Sequence, residues 1–401
     1  VIHAMSVPVV SALSLLATPA PDRGETVRTF HPDAARLYDG SSGFEPDDRD
    51  SFSIAVAEGN WRVSVTLGSA GHAAVTTVKT EARRLMVDRL ATRPGEFVQR
   101  DFIVNVRTPL LPPPPAHAPG GARVALNQGE RDSRTWDDRL TLEFSDAANV
   151  RQISIERANV PTIYLAGDST VTDQPFEPAA SWGQMLTAFA GPDIAIANHA
   201  ESGETLKSFL AARRLAKILS TIRPGDYLFI QFGHNDQKEQ WPQSYADPRW
   251  SYPAYLRAYI AEARARGATP ILVTSPERRN FAADGTIAES LSDYAEAMRL
   301  VAHTDDVPLI DLNAYTRQLY AELGEERAAH LFNDAGRDRT HHNNAGAWIL
   351  ARYVADRSRA IPPGLAAAFP STAPASPASL YRQALGIAAS SAHSSRRPAG
   401  N

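Results

Sequence analysis

The sequence predicts an α/β protein: a three-layer structure around a parallel sheet, preceded by a small antiparallel β-sandwich. Three observations carry that prediction. Between about Thr29 and Glu156 apolar residues recur with period two, as half-buried strands require. After Pro161 short apolar runs alternate with amphipathic stretches, the texture of a parallel sheet joined by helices. The chain has 401 residues, 43% hydrophobic and 21% charged, which allows two packed domains and a tail.

Taken in order, residues 1–23 are expected to be a signal peptide or a disordered N terminus. Met5–Ala20 is apolar, ends in small residues and is too short to span a bilayer, although no Lys or Arg precedes it. The signal reading makes the protein secreted or periplasmic. Residues 24–158 form the sandwich. In it Trp61, Val63, Val65 and Leu67 alternate with Arg62, Ser64 and Thr66, and Phe102, Val104 and Val106 alternate with Ile103 and Asn105. Leu140, Leu142 and Phe144 repeat the pattern. Glu58-Gly59-Asn60 is expected to be a hairpin turn, and Pro112–Pro115 with Gly120-Gly121 a long internal loop.

Residues 159–362 form the second domain. Strands are expected at Thr162–Ala166, Ile194–Ala197, Tyr227–Phe232, Pro270–Thr274 and Val307–Leu312. Helices are expected at Leu206–Leu219, Tyr252–Ala265, Ser292–His303, Ala314–Leu323 and Asn344–Arg359, with Gly267 stopping the second of them. From residue 363 to 401 Pro, Ala and Ser dominate, and disorder is expected.

Composition excludes several functions. A net charge of −4 gives no basic footprint for nucleic acid, and with no cysteine there are no disulfides, thiolate metal sites or cysteine nucleophiles. No later segment is apolar enough to cross a membrane. Oligomeric state is not legible.

Chemistry enters at the ends of the strands, where parallel sheets gather reactive groups. Gly167-Asp168-Ser169 follows the first apolar run, so a strand delivers a serine into a tight turn. Far downstream, Asp338-Arg339-Thr340-His341 supplies a base and an orienting acid from one turn. Serine needs such a base to become a nucleophile, so the pair points to acyl transfer. Two further segments, Asn198–Gly203 and Gly233-His234-Asn235-Asp236, follow the second and third strands.

In this order and spacing the four segments resemble the blocks of the SGNH (GDSL-type) hydrolase family, over roughly Pro161 to Arg359. The resemblance implies a flavodoxin-like sheet, no cofactor, and a triad of Ser169 as nucleophile, His341 as base and Asp338 as orienting acid. It also implies an oxyanion hole made by the backbone N–H of Ser169, the backbone N–H of Gly203 and the side-chain amide of Asn235. Singly, each block also fits a helix cap or a turn; together they do not. His342 competes with His341 for the base, and the Asp-x-x-His spacing selects His341. Asp168 is read as a loop-fixing acceptor. His199, His234 and Asp236 lack compact ligand spacing, so no metal is expected.

The wording of the blocks, Ala166–Val171, Ala180–Gln184, Asn198–Gly203 and Phe229–Gln237, is similar to the rhamnogalacturonan acetylesterase branch. That likeness implies removal of O-acetyl groups from pectic polysaccharide. Three alternatives stay open: an acetylxylan esterase, a general small-ester or lipolytic enzyme, and a non-catalytic carbohydrate-binding protein. The sandwich resembles galactose-binding-like modules. Trp182 and Trp241, with Tyr245, Trp250 and Tyr252, are expected near the active edge as sugar platforms. Arg278 and Arg279 are expected to meet uronate carboxylates there.

Overall fold

The computed structural model describes residues 26–113, 120–361, 364–394 and 397–398. The segment read as a signal or disordered start lies outside the described residues. Five parallel strands organise the second domain: β1 (Thr162–Gly167), β2 (Ala195–Asn198), β3 (Tyr227–Gln231), β4 (Thr269–Val273) and β5 (Leu309–Ile310), in the order β2-β1-β3-β4-β5. Successive residues of a strand feed opposite layers. Ile163, Leu165 and Phe229 pack toward helix Asn344–Ser358, while Tyr164, Ala166 and Leu228 pack toward helices Ser251–Ala265 and Ser292–Thr304. Burial on both faces is why these strands read as continuous apolar runs.

Two elements differ from expectation. The helix expected at Leu206–Leu219 is two helices, Leu206–Ala211 and Arg214–Thr221, separated by Arg213 in the left-handed region at φ 62°. The break presents Arg214 to Glu130 of the first domain, with its two terminal guanidinium nitrogens on the carboxylate at 2.7 and 2.6 Å. The fifth strand shrinks to two paired residues because Asp311 caps a helix at Leu312–Ala329, accepting from the Ala314 N–H.

The first domain is a sandwich of two antiparallel sheets. One orders Arg28–Phe30, Val150–Arg157, Gly59–Leu67 and Val98–Val106; the other orders Ser42–Glu45, Asp48–Ala55, Arg139–Phe144, Ala74–Thr80 and Arg84–Thr92. The alternating residues named above, Trp61 to Leu67, Phe102 to Val106 and Leu140 to Phe144, fill the space between them. Glu58-Gly59-Asn60 is not a hairpin turn, since the strands it joins lie in different sheets. Glycine suits position 59 because the backbone there sits at φ +138°, and the Arg157 guanidinium closes on the turn, donating to Glu58 O at 2.7 Å. A Cβ on residue 59 would sit 2.1 Å from that group. The proline-rich loop is closed at its base by pairing of Leu110 with Arg123, and residues 114–119 are not described.

The tail departs most from expectation. Helices Leu365–Ala368 and Pro377–Ala384 pack on the second domain, burying Leu365, Phe369, Leu380 and Ala384. Four apolar residues at helical spacing overcome a Pro/Ala/Ser composition, and Arg352 and Arg359 anchor the connecting backbone at Ala373 O and Phe369 O. Beyond them, Lys79 of the sandwich holds Ala388 O and Ser390 Oγ at 2.8 and 2.7 Å.

The domains join through buried charge directly behind the β1 loop. Arg84 donates to Asp173 at 2.8 Å, and Arg107 approaches the same carboxylate at 3.6 Å. Arg83 pairs with Glu177 at 2.6 Å and donates to Gln174 O and Ala179 O. Removing one member of such a cluster leaves the others buried and unpaired. Asp173→Ala is therefore expected to cost about 3–5 kcal/mol, read as a lowered urea midpoint. An unchanged midpoint would show that the two guanidinium groups are compensated elsewhere.

Candidate active site

β1 ends at Gly167, and the chain turns at once through Asp168-Ser169-Thr170. Asp168 fixes that turn: its Oδ1 accepts from Thr170 N at 2.9 Å and Thr170 Oγ1 at 2.8 Å, and its Oδ2 faces His234 Nδ1 at 3.4 Å. Gln231, the last residue of β3, donates to Thr170 Oγ1 at 2.7 Å. Gln174 donates to Ser169 O at 2.8 Å and to Ser202 Oγ at 3.4 Å, tying the serine turn to the loop after β2. Burial opposes ionisation of Asp168, but these donors and His234 outweigh it and hold its carboxyl below the usual range.

Ser169, Asp338 and His341 come together although 169 residues separate the first two in sequence. His341 Nε2 lies 2.9 Å from Ser169 Oγ, and His341 Nδ1 lies 2.9 Å from Asp338 Oδ2. Asp338 Oδ1 accepts from the backbone N–H of Thr340 and of His341 at 2.9 and 3.0 Å. Those bonds lock the Asp-x-x-His turn, so the acid and the base are positioned by one another. Burial pushes the Asp338 carboxyl up, yet the His341 hydrogen bond and charge, with the two backbone donors, keep it well below the ordinary carboxylate range. A carboxylate fixed in its ionised form favours the imidazole tautomer that leaves Nε2 free to take a proton from serine.

Gly203 adopts φ +84°, a conformation that favours glycine. Among the described residues neither the Ser169 nor the Gly203 N–H has a hydrogen-bond acceptor. Asn235 donates from Nδ2 to Glu204 O at 3.1 Å, and its Oδ1 accepts from Lys238 Nζ at 3.0 Å. Lys238 was not singled out by sequence; a lysine three residues after the Asn is the signal. It fixes which way the amide points. Lys238→Met is expected to lower kcat by ~10-fold with little change in KM, because a donor that swings freely stabilises a developing oxyanion less. Equal effects on kcat and KM, or none, would exclude that positioning role.

The other predicted site residues divide. Trp182 is buried, not a sugar platform: its indole N–H donates to Gln231 at 2.7 Å, bracing the serine turn from behind. Arg279 is also buried, reaching Gly336 O and lying over Phe332, so it braces the loop that carries Asp338 and does not face a ligand. Arg278 is partly buried and spans Ser290 Oγ and His234 O. Trp241 is exposed, with Lys238 Nζ 4.8 Å over its ring, and Trp250 is more exposed still. Tyr252 is buried on Phe232 O.

His342 turns away from the serine. Its Nε2 meets Tyr320 Oη at 2.7 Å and its ring packs on Phe332. Burial, then the neighbouring His341, pushes it down to about 3. His199 packs between Trp136 and Tyr164, whereas Asp236 accepts from Leu206 N at 3.0 Å. No cluster of three or more metal-ligating side chains occurs among the described residues.

A family model described as the GDSL-like Lipase/Acylhydrolase family matches residues 165–349, which contain every block of this site. The rhamnogalacturonan acetylesterase RhgT of Bacillus subtilis (strain 168) is 39% identical over 207 residues, covering 48% of this chain and 88% of that protein. The chain belongs to the GDSL-like lipase/acylhydrolase family. This acylhydrolase is a carboxylic ester hydrolase. The probable rhamnogalacturonan acetylesterase YesY of the same organism is also 39% identical, over 196 residues, covering 48% of this chain and 90% of that protein. An uncharacterized esterase, YxiM, is 27% identical over 307 residues, covering 75% of the acylhydrolase and 72% of its own length. That span is long enough to reach into the sandwich.

Proposed function

We propose that this acylhydrolase removes O-acetyl groups from a plant cell-wall polysaccharide, with rhamnogalacturonan as the preferred substrate. One observation carries the reading: the contact of Ser169 Oγ with His341 lies inside a domain that two rhamnogalacturonan acetylesterases, one named as probable, match across nearly their whole length.

Ser169 Oγ attacks the acetyl carbonyl while His341 Nε2 takes its proton. The tetrahedral oxyanion accepts from the N–H of Ser169, the N–H of Gly203 and the Asn235 amide, each typically worth ~3 kcal/mol. His341 then returns the proton to the departing sugar hydroxyl, leaving acetyl-Ser169. Water, activated by the same imidazole, releases acetate. Asp338 stabilises the imidazolium at both stages. A polymer outside the cell has to be met there, so the enzyme is secreted or periplasmic. Residues 24–158 act as the accessory module and 159–362 as the catalytic domain.

Acetate release from acetylated rhamnogalacturonan, homogalacturonan, xylan and glucomannan tests the reading. The highest kcat/KM is expected on rhamnogalacturonan. A preference for xylan would move the enzyme to the acetylxylan reading, and faster turnover of long p-nitrophenyl acyl esters to the lipolytic one.

A further inference from the structure

The loop that leaves β3 carries Asn235 and then, between Asp236 and Ala246, turns back on itself. The Ala246 N–H donates to Asp236 O at 3.0 Å. The Tyr294 hydroxyl lies across the same closure, 3.1 Å from Asp236 O and 2.8 Å from Ala246 O. The outer edge is pinned by Lys207, whose ammonium donates to Pro242 O and Tyr245 O at 2.9 and 3.1 Å. Within the loop the Trp241 N–H donates to Lys238 O, and Trp241 O accepts from the N–H groups of Ser244 and Tyr245. A compact loop with closed ends is a frame on which a surface side chain can be held in place.

Trp241 stands on this frame 40% exposed, whereas Trp182 and Tyr252 are buried anchors at 1% and 0%. A lone exposed indole needs no explanation. This one is set apart by what touches it. The Lys238 ammonium lies 4.8 Å from the ring centroid and donates to Asn235 Oδ1 at 3.0 Å. One ammonium therefore spans the oxyanion amide and the indole, and its attraction to the ring helps to hold the indole in position. The indole is fixed one side chain away from the group that receives the acetyl carbonyl. An aromatic ring ordered in advance loses little conformational freedom when a ligand stacks on it. The C–H face of a pyranose is flat and apolar while its rim carries hydroxyls, so it matches such a ring.

We propose that Trp241 is a stacking platform for a pyranose ring of the substrate chain, at or next to the acetylated residue. The inference rests on the polysaccharide reading above and adds a specificity-determining residue on the loop that carries the oxyanion amide.

The test compares kcat/KM for acetate release from acetylated rhamnogalacturonan and from ethyl acetate, which offers no ring to stack. Trp241→Ala is expected to lower the ratio of polymer to ethyl acetate activity by ~10-fold, and Trp241→Phe, which keeps an aromatic face, to restore most of it. Trp241 also touches Lys238, so a second arm takes the oxyanion out of the measurement. In a Ser169→Ala background, the Kd for a deacetylated rhamnogalacturonan oligosaccharide, read by calorimetry, is expected to rise ~10-fold with Trp241→Ala. Melting temperatures confirm that each variant is folded. An unchanged ratio and an unchanged Kd, in an enzyme that releases acetate from polymer, would overturn the platform alone. Equal losses on both esters with Kd unchanged would assign Trp241 to holding Lys238 and overturn the platform equally. Hydrolysis of ethyl acetate with no release from any polymer would overturn the substrate reading and the platform with it.

Discussion

Ser169→Ala is expected to lower kcat/KM for acetate release by roughly a million-fold while leaving the protein folded. The size follows from the site's construction. Ser169 Oγ is the hydroxyl that meets His341 Nε2, and without it the imidazole has no oxygen to deprotonate within the enzyme. What remains is whatever rate the oxyanion donors and substrate positioning give to attack by water. Structure should survive because the serine side chain does not hold its own turn. Asp168 and Thr170 do so, together with Gln174 on the Ser169 carbonyl, and none of these contacts uses Oγ. The measurement is acetate release with a parallel thermal melt. A folded variant retaining more than about a hundredth of the activity would remove Ser169 from the nucleophile's role.

That separation between what reacts and what supports explains how far the sequence could be read. The five strands were legible because β1, β3 and β4 are buried on both faces and announce themselves as unbroken apolar runs. The meeting of His341 with Asp338 was legible because the two occupy a single turn, a local spacing that survives as a motif. The sandwich strands were legible from alternation, except where the outer face is covered as well. Ile103 and Asn105 are both buried and Asn60 reaches Thr162 of β1, so period two there does not mean a face in water. Supporting residues carry no such local signature. Trp182 and Gln231 are 49 positions apart, and only the fold brings the indole to the amide behind the serine turn. The same holds for Arg279, whose neighbour Arg278 gave an equally good motif on paper. A pair of arginines in sequence says nothing about which of them turns inward. The tail misled for a related reason. Composition averages over its length, whereas docking depends on four apolar positions and on Lys79 and Glu177 from elsewhere in the chain.

The second large effect separates adjacent imidazoles. His341→Ala is expected to lower kcat by ~10⁴-fold or more, and His342→Ala by less than ~10-fold. His341 spans Ser169 and Asp338 at 2.9 Å on each side, so its loss breaks the proton path at both ends. His342 instead supplies one partner to the Tyr320 hydroxyl, and its removal costs that buried group a hydrogen bond, about 0.5–1.5 kcal/mol. The pH dependence gives a second, independent signature. Held neutral down to about 3 in the fold against 6.5 ordinarily, His342 takes up its proton more readily in the unfolded chain. Its contribution is therefore fully present above pH 6.5 and is lost as the pH falls toward 3. Urea unfolding across that window should show His342→Ala losing less stability on acidification than the wild type. Steady-state turnover and that pH series, measured on both variants, decide the assignment. If His342→Ala abolished turnover while His341→Ala only shifted the stability profile, the base would be the other imidazole, and Tyr320 rather than Asp338 would be the group that orients it.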